Sequence, residues 1–102
     1  MTKPKIDISQ SQWEILARLL EAHLPGTRVW AFGSRAEGTA RANSDLDLVV
    51  FSTPDQRRAV GDLREALEES NLPFRVDLHV WDELPARFRR RIEKARIDLQ
   101  ES

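Results

Sequence analysis

Apolar residues recur at helical spacing at Trp13, Leu16, Leu20 and Leu24, the stripe that one buried helix face requires. Ser9 or Ser11 can cap this helix, with Gln12 or Glu14 three residues on, and Pro25-Gly26 ends it. Arg28 to Phe32 is rich in β-branched and aromatic residues and predicts a short strand that stops at Gly33. Ser34 to Asn43 reads as a loop or short helix. From Asp45 to Phe51 the pattern alternates: Leu46, Leu48 and Val50 take one face of a strand, and Asp45, Asp47, Val49 and Phe51 take the other. Thr53, with Pro54 at the first helical position and Gln56 three residues after the cap, opens a helix that turns Val60, Leu63 and Leu67 inward. That helix breaks at Asn71-Leu72-Pro73. Arg75 to Trp81 alternates again, setting Val76, Leu78 and Val80 against Asp77, His79 and Trp81, and Leu84, Phe88, Ile92, Ala95 and Leu99 mark a last amphipathic helix. The predicted order is α, β, short α, β, α, β, α: an α/β protein with one small mixed sheet backed by helices.

No repeat, low-complexity tract or long linker divides the 102 residues, so residues 1–102 are expected to close on one core as a single domain. That length leaves no room for a second substrate-binding lobe, and a bulky acceptor must come from another molecule. Sixteen Lys+Arg against seventeen Asp+Glu give a net charge of −1, so there is no bulk pull toward nucleic acid or anionic lipid. Cysteine is absent, which excludes disulfides, thiolate metal sites and thiol nucleophiles and agrees with a reducing compartment. Neither the opening Met1 to Asp7 nor any later window has the apolar run of a signal or membrane span. The expectation is a soluble cytoplasmic protein with no membrane partner.

The densest chemical signal runs from Gly33-Ser34-Arg35 to Asp45-Leu46-Asp47. A Gly-Ser pair at a strand end permits a tight turn, and a helix opening there presents free N–H groups and the Ser34 hydroxyl to phosphate oxygens. Ten residues intervene between Ser34 and Asp45. Asp45 and Asp47 on one strand face repel each other unless a cation lies between them, and magnesium, which takes hard oxygen ligands and substrate phosphates, is the natural one.

This spacing resembles the nucleotidyltransferase superfamily, whose pattern is Gly-Ser, about ten residues, Asp-x-Asp, and a third Asp on a later strand, the place Asp77 occupies here. The runs Phe32-Gly33-Ser34-Arg35-Ala36, Ser44 to Leu48, Val76-Asp77-Leu78 and Asp82-Glu83-Leu84 are similar to the minimal nucleotidyltransferase (MNT) proteins over nearly the whole chain. The resemblance implies a DNA polymerase β-type fold and an antitoxin that transfers AMP from ATP to a hydroxyl, a tyrosine, of a cognate HEPN-domain ribonuclease toxin. It also implies that Gly33, Ser34 and the adjacent backbone hold the triphosphate, with Arg35 as a phosphate contact. Asp45 and Asp47 would bind metal, and Asp77 would complete a second metal site and could take the acceptor proton. Two magnesium ions are thereby expected.

Plainer roles stand beside these. Gly38 suits a turn, and Arg41 is as well placed for solvent as for phosphate. His23 fits the end of the first helix. His79 and Trp81, on the face of Asp77, either line the nucleotide pocket or lie under the last helix, whereas Trp13, Trp30 and Trp81 suit a core or interface. The basic face of the last helix (Arg87, Arg89, Arg90, Arg91, Lys94, Arg96) suits solvent first, then an acidic partner, and RNA last. Two rival functions remain open: a non-catalytic antitoxin that blocks its partner by occupancy, and a small-molecule nucleotidyltransferase. The latter is weakened by the lack of a second domain.

Overall fold

The structure, a computed structural model, describes residues 2–101. Helix α1 (Gln10–His23) starts at an N-cap Ser9 whose side chain accepts from the Gln12 N–H while the Gln12 side chain accepts from the Ser9 N–H. Strand β1 (Val29–Phe32) runs into the short helix α2 (Ser34–Glu37), and β2 (Leu46–Val50) follows after a loop. A 3₁₀ turn over Pro54–Gln56 leads into α3 (Arg57–Glu69), so Pro54 opens a tighter turn rather than the α-helix itself. Strand β3 (Val76–Val80), a second 3₁₀ turn (Trp81–Glu83), α4 (Ala86–Ala95) and β4 (Ile97–Gln100) complete the chain.

The four strands form one sheet in the order β3-β2-β1-β4. β1 pairs antiparallel with β2 and with β4, while β2 and β3 are parallel and joined through α3, the crossover that parallel neighbours need. The mixed α/β architecture read from the sequence is thus present. One expectation is corrected: the last helix does not reach Leu99. It stops at Ala95, Arg96 is extended, and Ile97 to Gln100 cover the outer edge of β1. A bare β1 edge would leave a row of N–H and C=O groups unpaired, and the Gln100 side chain fastens the join by donating to the carbonyls of Leu24 (2.6 Å) and Thr27 (2.8 Å).

Alternation along the strands divides the sheet into two faces. Val29, Ala31, Leu46, Leu48, Val50 and Leu78 meet Leu16, Leu20 and Leu24 of the first helical segment and Val60, Leu63 and Leu67 of α3 in the main core. The opposite face carries Trp30, Phe32, Val49 and Phe51, with Ile92 and Phe88 of α4 laid over part of it. The rest of that face, where β2 and β3 adjoin, holds the polar residues.

Candidate active site

Parallel register sets Asp47 of β2 directly beside Asp77 of β3, and Val49 beside His79. Both aspartates and the histidine point to the face opposite the main core. One ligand atom from each of Asp47, Asp77 and His79 lies within 4.8 Å of the others. On the other side of Asp47 is Phe32, its partner on β1, and the chain then turns at Gly33.

Gly33 has φ 77° and ψ −161°, a region essentially reserved for glycine. A Cβ on this residue would lie 2.5 Å from Asp47 Oδ2. The missing side chain is therefore the space in which the Asp47 carboxylate sits, a second reason for glycine that the motif alone does not express. Ser34 opens α2 at that point, where a helix cannot satisfy its own first N–H groups.

The site is electrostatically loaded. Burial pushes the Asp47 carboxyl above its ordinary value, and the charges of Asp77 and then Asp45 push the same way, while His79 and Arg75 pull back. Arg75 lies 3.0 Å from Asp77 Oδ1, but this pair is exposed and so contributes little to stability. Carboxylates that crowd Asp47 in this way fit a divalent cation, which would remove the repulsion and take oxygen ligands from Asp47 and Asp77.

Two sequence expectations change here. Asp45 is not on the strand: β2 begins at Leu46, and Asp45 is exposed in the preceding loop, although close enough to raise the Asp47 carboxyl. Arg35, expected as a phosphate contact, is turned to the protein's own backbone. Only 6% exposed, it donates through Nε to Ser44 O (2.9 Å), through Nη1 to Asp7 O (2.7 Å), and through Nη2 to Ala42 O (3.1 Å) and Arg41 O (3.4 Å). Its guanidinium also lies 4.2 Å from the Phe74 ring centroid. With its donors committed to carbonyls, Arg35 ties the N-terminal segment to the loop that presents Asp45.

His79 and Trp81 separate. His79 borders both the carboxylates and the rings of Phe32 and Phe88, at centroid distances of 5.6 and 6.2 Å. Trp81 packs against Phe51 and Trp30, with Arg89 of α4 over its ring, and belongs to the apolar layer.

A mixed sheet with carboxylates in register on adjacent strands, closed by a glycine turn at the end of a third, defines a nucleotidyl-transfer type of protein. The chain belongs to the nucleotidyltransferase domain family, whose model matches residues 11–99. It is 41% identical over 98 residues to a probable protein adenylyltransferase, MntA, of Haemophilus influenzae, the match covering 95% of this chain and 86% of that protein. Among solved structures, a chain of a toxin-antitoxin with AMP-PNP superposes with a TM-score of 0.63 at 22% identity, over 88% of this chain and 73% of the other. A chain of the tri-AMPylated Shewanella oneidensis HEPN toxin in complex with MNT antitoxin gives 0.59 at 18% identity, over 93% and 74%. At such identities the structural likeness establishes the fold.

Proposed function

We propose that this protein is a magnesium-dependent protein adenylyltransferase, an antitoxin that transfers AMP from ATP to a tyrosine hydroxyl of a cognate HEPN toxin. The observation that carries it is the in-register Asp47–Asp77 pair beneath Gly33, supported by the 41% identity to a probable protein adenylyltransferase. The whole of residues 1–102 acts as one domain, in the cytoplasm.

In this reading Asp45, Asp47 and Asp77 hold two magnesium ions, and Gly33 and Ser34 receive the triphosphate. Bound magnesium supplies charge neutralisation at the attacking and leaving oxygens. Asp77, beside the open edge of the sheet, accepts the proton of the incoming hydroxyl. The hydroxyl oxygen bonds to the α-phosphorus as the bond to the bridging oxygen of the β-phosphate breaks, and pyrophosphate leaves in line. Ser34→Ala removes one hydroxyl contact and raises the KM for ATP by about fivefold to thirtyfold, corresponding to roughly 1 to 2 kcal/mol.

The deciding experiment incubates the protein with radiolabelled ATP, magnesium and a cognate HEPN toxin. Label on the toxin, absent when Asp47→Asn replaces the unsubstituted protein, is the expected result. A toxin neutralised in a stable complex without label would replace catalysis with blocking by occupancy, and label on a small molecule alone would point to the third reading.

A further inference from the structure

Strand β3 closes one end of the sheet and pairs on one side only, with β2. The Leu46 N–H donates to the Arg75 carbonyl at 2.9 Å while Leu46 stands opposite Val76, so the evenly slanted bonds of this parallel ladder engage Arg75, Asp77 and His79. The main-chain groups of Val76 and Leu78 therefore face outward. Arg64 of α3 agrees with that direction, since its Nη2 donates round the edge to the Leu78 carbonyl at 2.8 Å. β3 pairs with β2 over five residues without a bulge or a proline, and such an edge is a template for another strand. Between this edge and α3 lie two cavities that share Arg64 in their walls. The larger, about 460 Å³, runs along Val76 to Leu78, with Leu67, Leu72 and Phe74 on its apolar side. The smaller, about 200 Å³, lies at Val80 against Val60 and Pro54.

We propose that the acceptor protein docks here by adding an extended segment to the outer side of β3 as a fifth strand, its tyrosine on the face of Asp77 and its alternate residues turned toward α3. The proposal rests on the adenylyltransferase reading above and states how the acceptor is held. An added strand lies about 4.8 Å from β3, and its side chains alternate between the same two faces. A tyrosine in register with Asp77 thus stands beside the carboxylates, while its neighbours meet the apolar walls of the cavities. Main-chain bonds supply affinity whatever the sequence, and the cavities select apolar side chains at every second position. Arg64 holds the Leu78 carbonyl until an N–H of the segment replaces it, which restrains indiscriminate pairing. A second copy of this chain could lie along the same edge, but it has no tyrosine to offer the site.

Amide hydrogen exchange, in the protein alone and bound to a cognate HEPN toxin, tests this. The Val76 and Leu78 amides are expected to exchange freely in the unbound protein and about tenfold more slowly, or slower still, in the complex. Val76→Pro removes an outward N–H at the first residue of the strand, where proline spares the β2 ladder. Glu68→Trp fills the larger cavity from an exposed position on α3. Each should raise the KM for the toxin by about tenfold and leave kcat and the affinity for AMP-PNP with magnesium unchanged. Glu65→Trp, exposed on the same helix but lining neither cavity, should alter none of these. Thermal melting of each variant shows that it is folded. Unchanged KM in both folded variants, or edge amides left unprotected while the toxin becomes labelled, overturns the docking and leaves adenylyl transfer standing. Edge amides protected by a toxin that never takes label uphold the docking and remove the transfer. Edge amides already protected in free protein that sediments as a dimer assign the edge to a second copy and overturn the proposal.

Discussion

A carboxylate that resists ionisation lies at the centre of the site, and it makes the metal-free protein sensitive to pH. Asp47 titrates above its ordinary value of 3.8 because of burial and of Asp77 beside it. Folded protein therefore holds this proton more tightly than the unfolded chain does. The stability cost is absent below the ordinary value, grows as pH climbs toward the raised one, and is complete above it. Asp47→Asn is expected to abolish transfer yet raise the melting temperature of the metal-free protein at pH 7, the gain fading as acid brings the pH below the ordinary carboxylate value. Melting curves in a chelator across this range check the sign, and added magnesium should stabilise only the unsubstituted protein. Gly33→Ala sets a Cβ against Asp47 Oδ2 and strains a glycine-only backbone, whereas at Gly38, also at positive φ, a Cβ meets open space. Gly38→Ala should cost about 1 kcal/mol and keep magnesium binding; Gly33→Ala should cost more and lose it, as calorimetry would show. Arg35→Ala removes a buried side chain together with its bonds to four backbone carbonyls and is expected to lower unfolding free energy by about 3 kcal/mol in urea, an effect that a mere phosphate contact would not produce. Nothing local warns of this: Gly-Ser-Arg looks like a phosphate turn, and the Asp7 carbonyl that Arg35 reaches lies 28 positions away. Asp77 as the third acidic residue, in contrast, was legible through the family resemblance, and the period of two set it and Asp47 each opposite its strand's apolar face; the register that pairs them shows only in the fold.

At the level of elements, strands with one apolar face and helices with one apolar stripe were readable from pattern, since burial of a face enforces that pattern. The final strand was not. Phe88, Ile92, Ala95 and Leu99 continue a helical stripe without a break, and nothing local reveals that β1 lacks a partner on its outer side. Tertiary demand decides: Ile97 and Leu99 turn toward the main core, and Asp98 pairs with Trp30. The boundary of β2 shifted by one residue for a similar reason, because Arg41, Ala42 and Ser44 give their carbonyls to Arg35 instead of continuing a strand. Removal of residues 97–102 is expected to lower the urea midpoint sharply and to promote association through the uncovered β1 edge. Gln100→Ala, which breaks only the clasp to Leu24 and Thr27, should cost about 1 to 2 kcal/mol and leave the protein monodisperse. Denaturation followed by light scattering distinguishes the two.

For the molecule as a whole, a net charge of −1 conceals a basic α4 opposite acidic strands. The chain has no tyrosine, so a tyrosine acceptor must arrive on another protein, and mass spectrometry of the reacted pair should place every tyrosine-linked adenylate on the partner. No helix among the described residues is long and apolar enough to cross a membrane. The sheet also has a temporal aspect. Val29 of β1 has one neighbour at Val50 and the other at Gln100, so its two sides become available at different moments of synthesis. The strands that bring Asp47 beside Asp77 lie within residues 29–80, and the strand that covers the outer side of β1 is translated after them. A released chain that ended near residue 96 would keep all three carboxylates and yet present the bare outer side of β1 to any other strand.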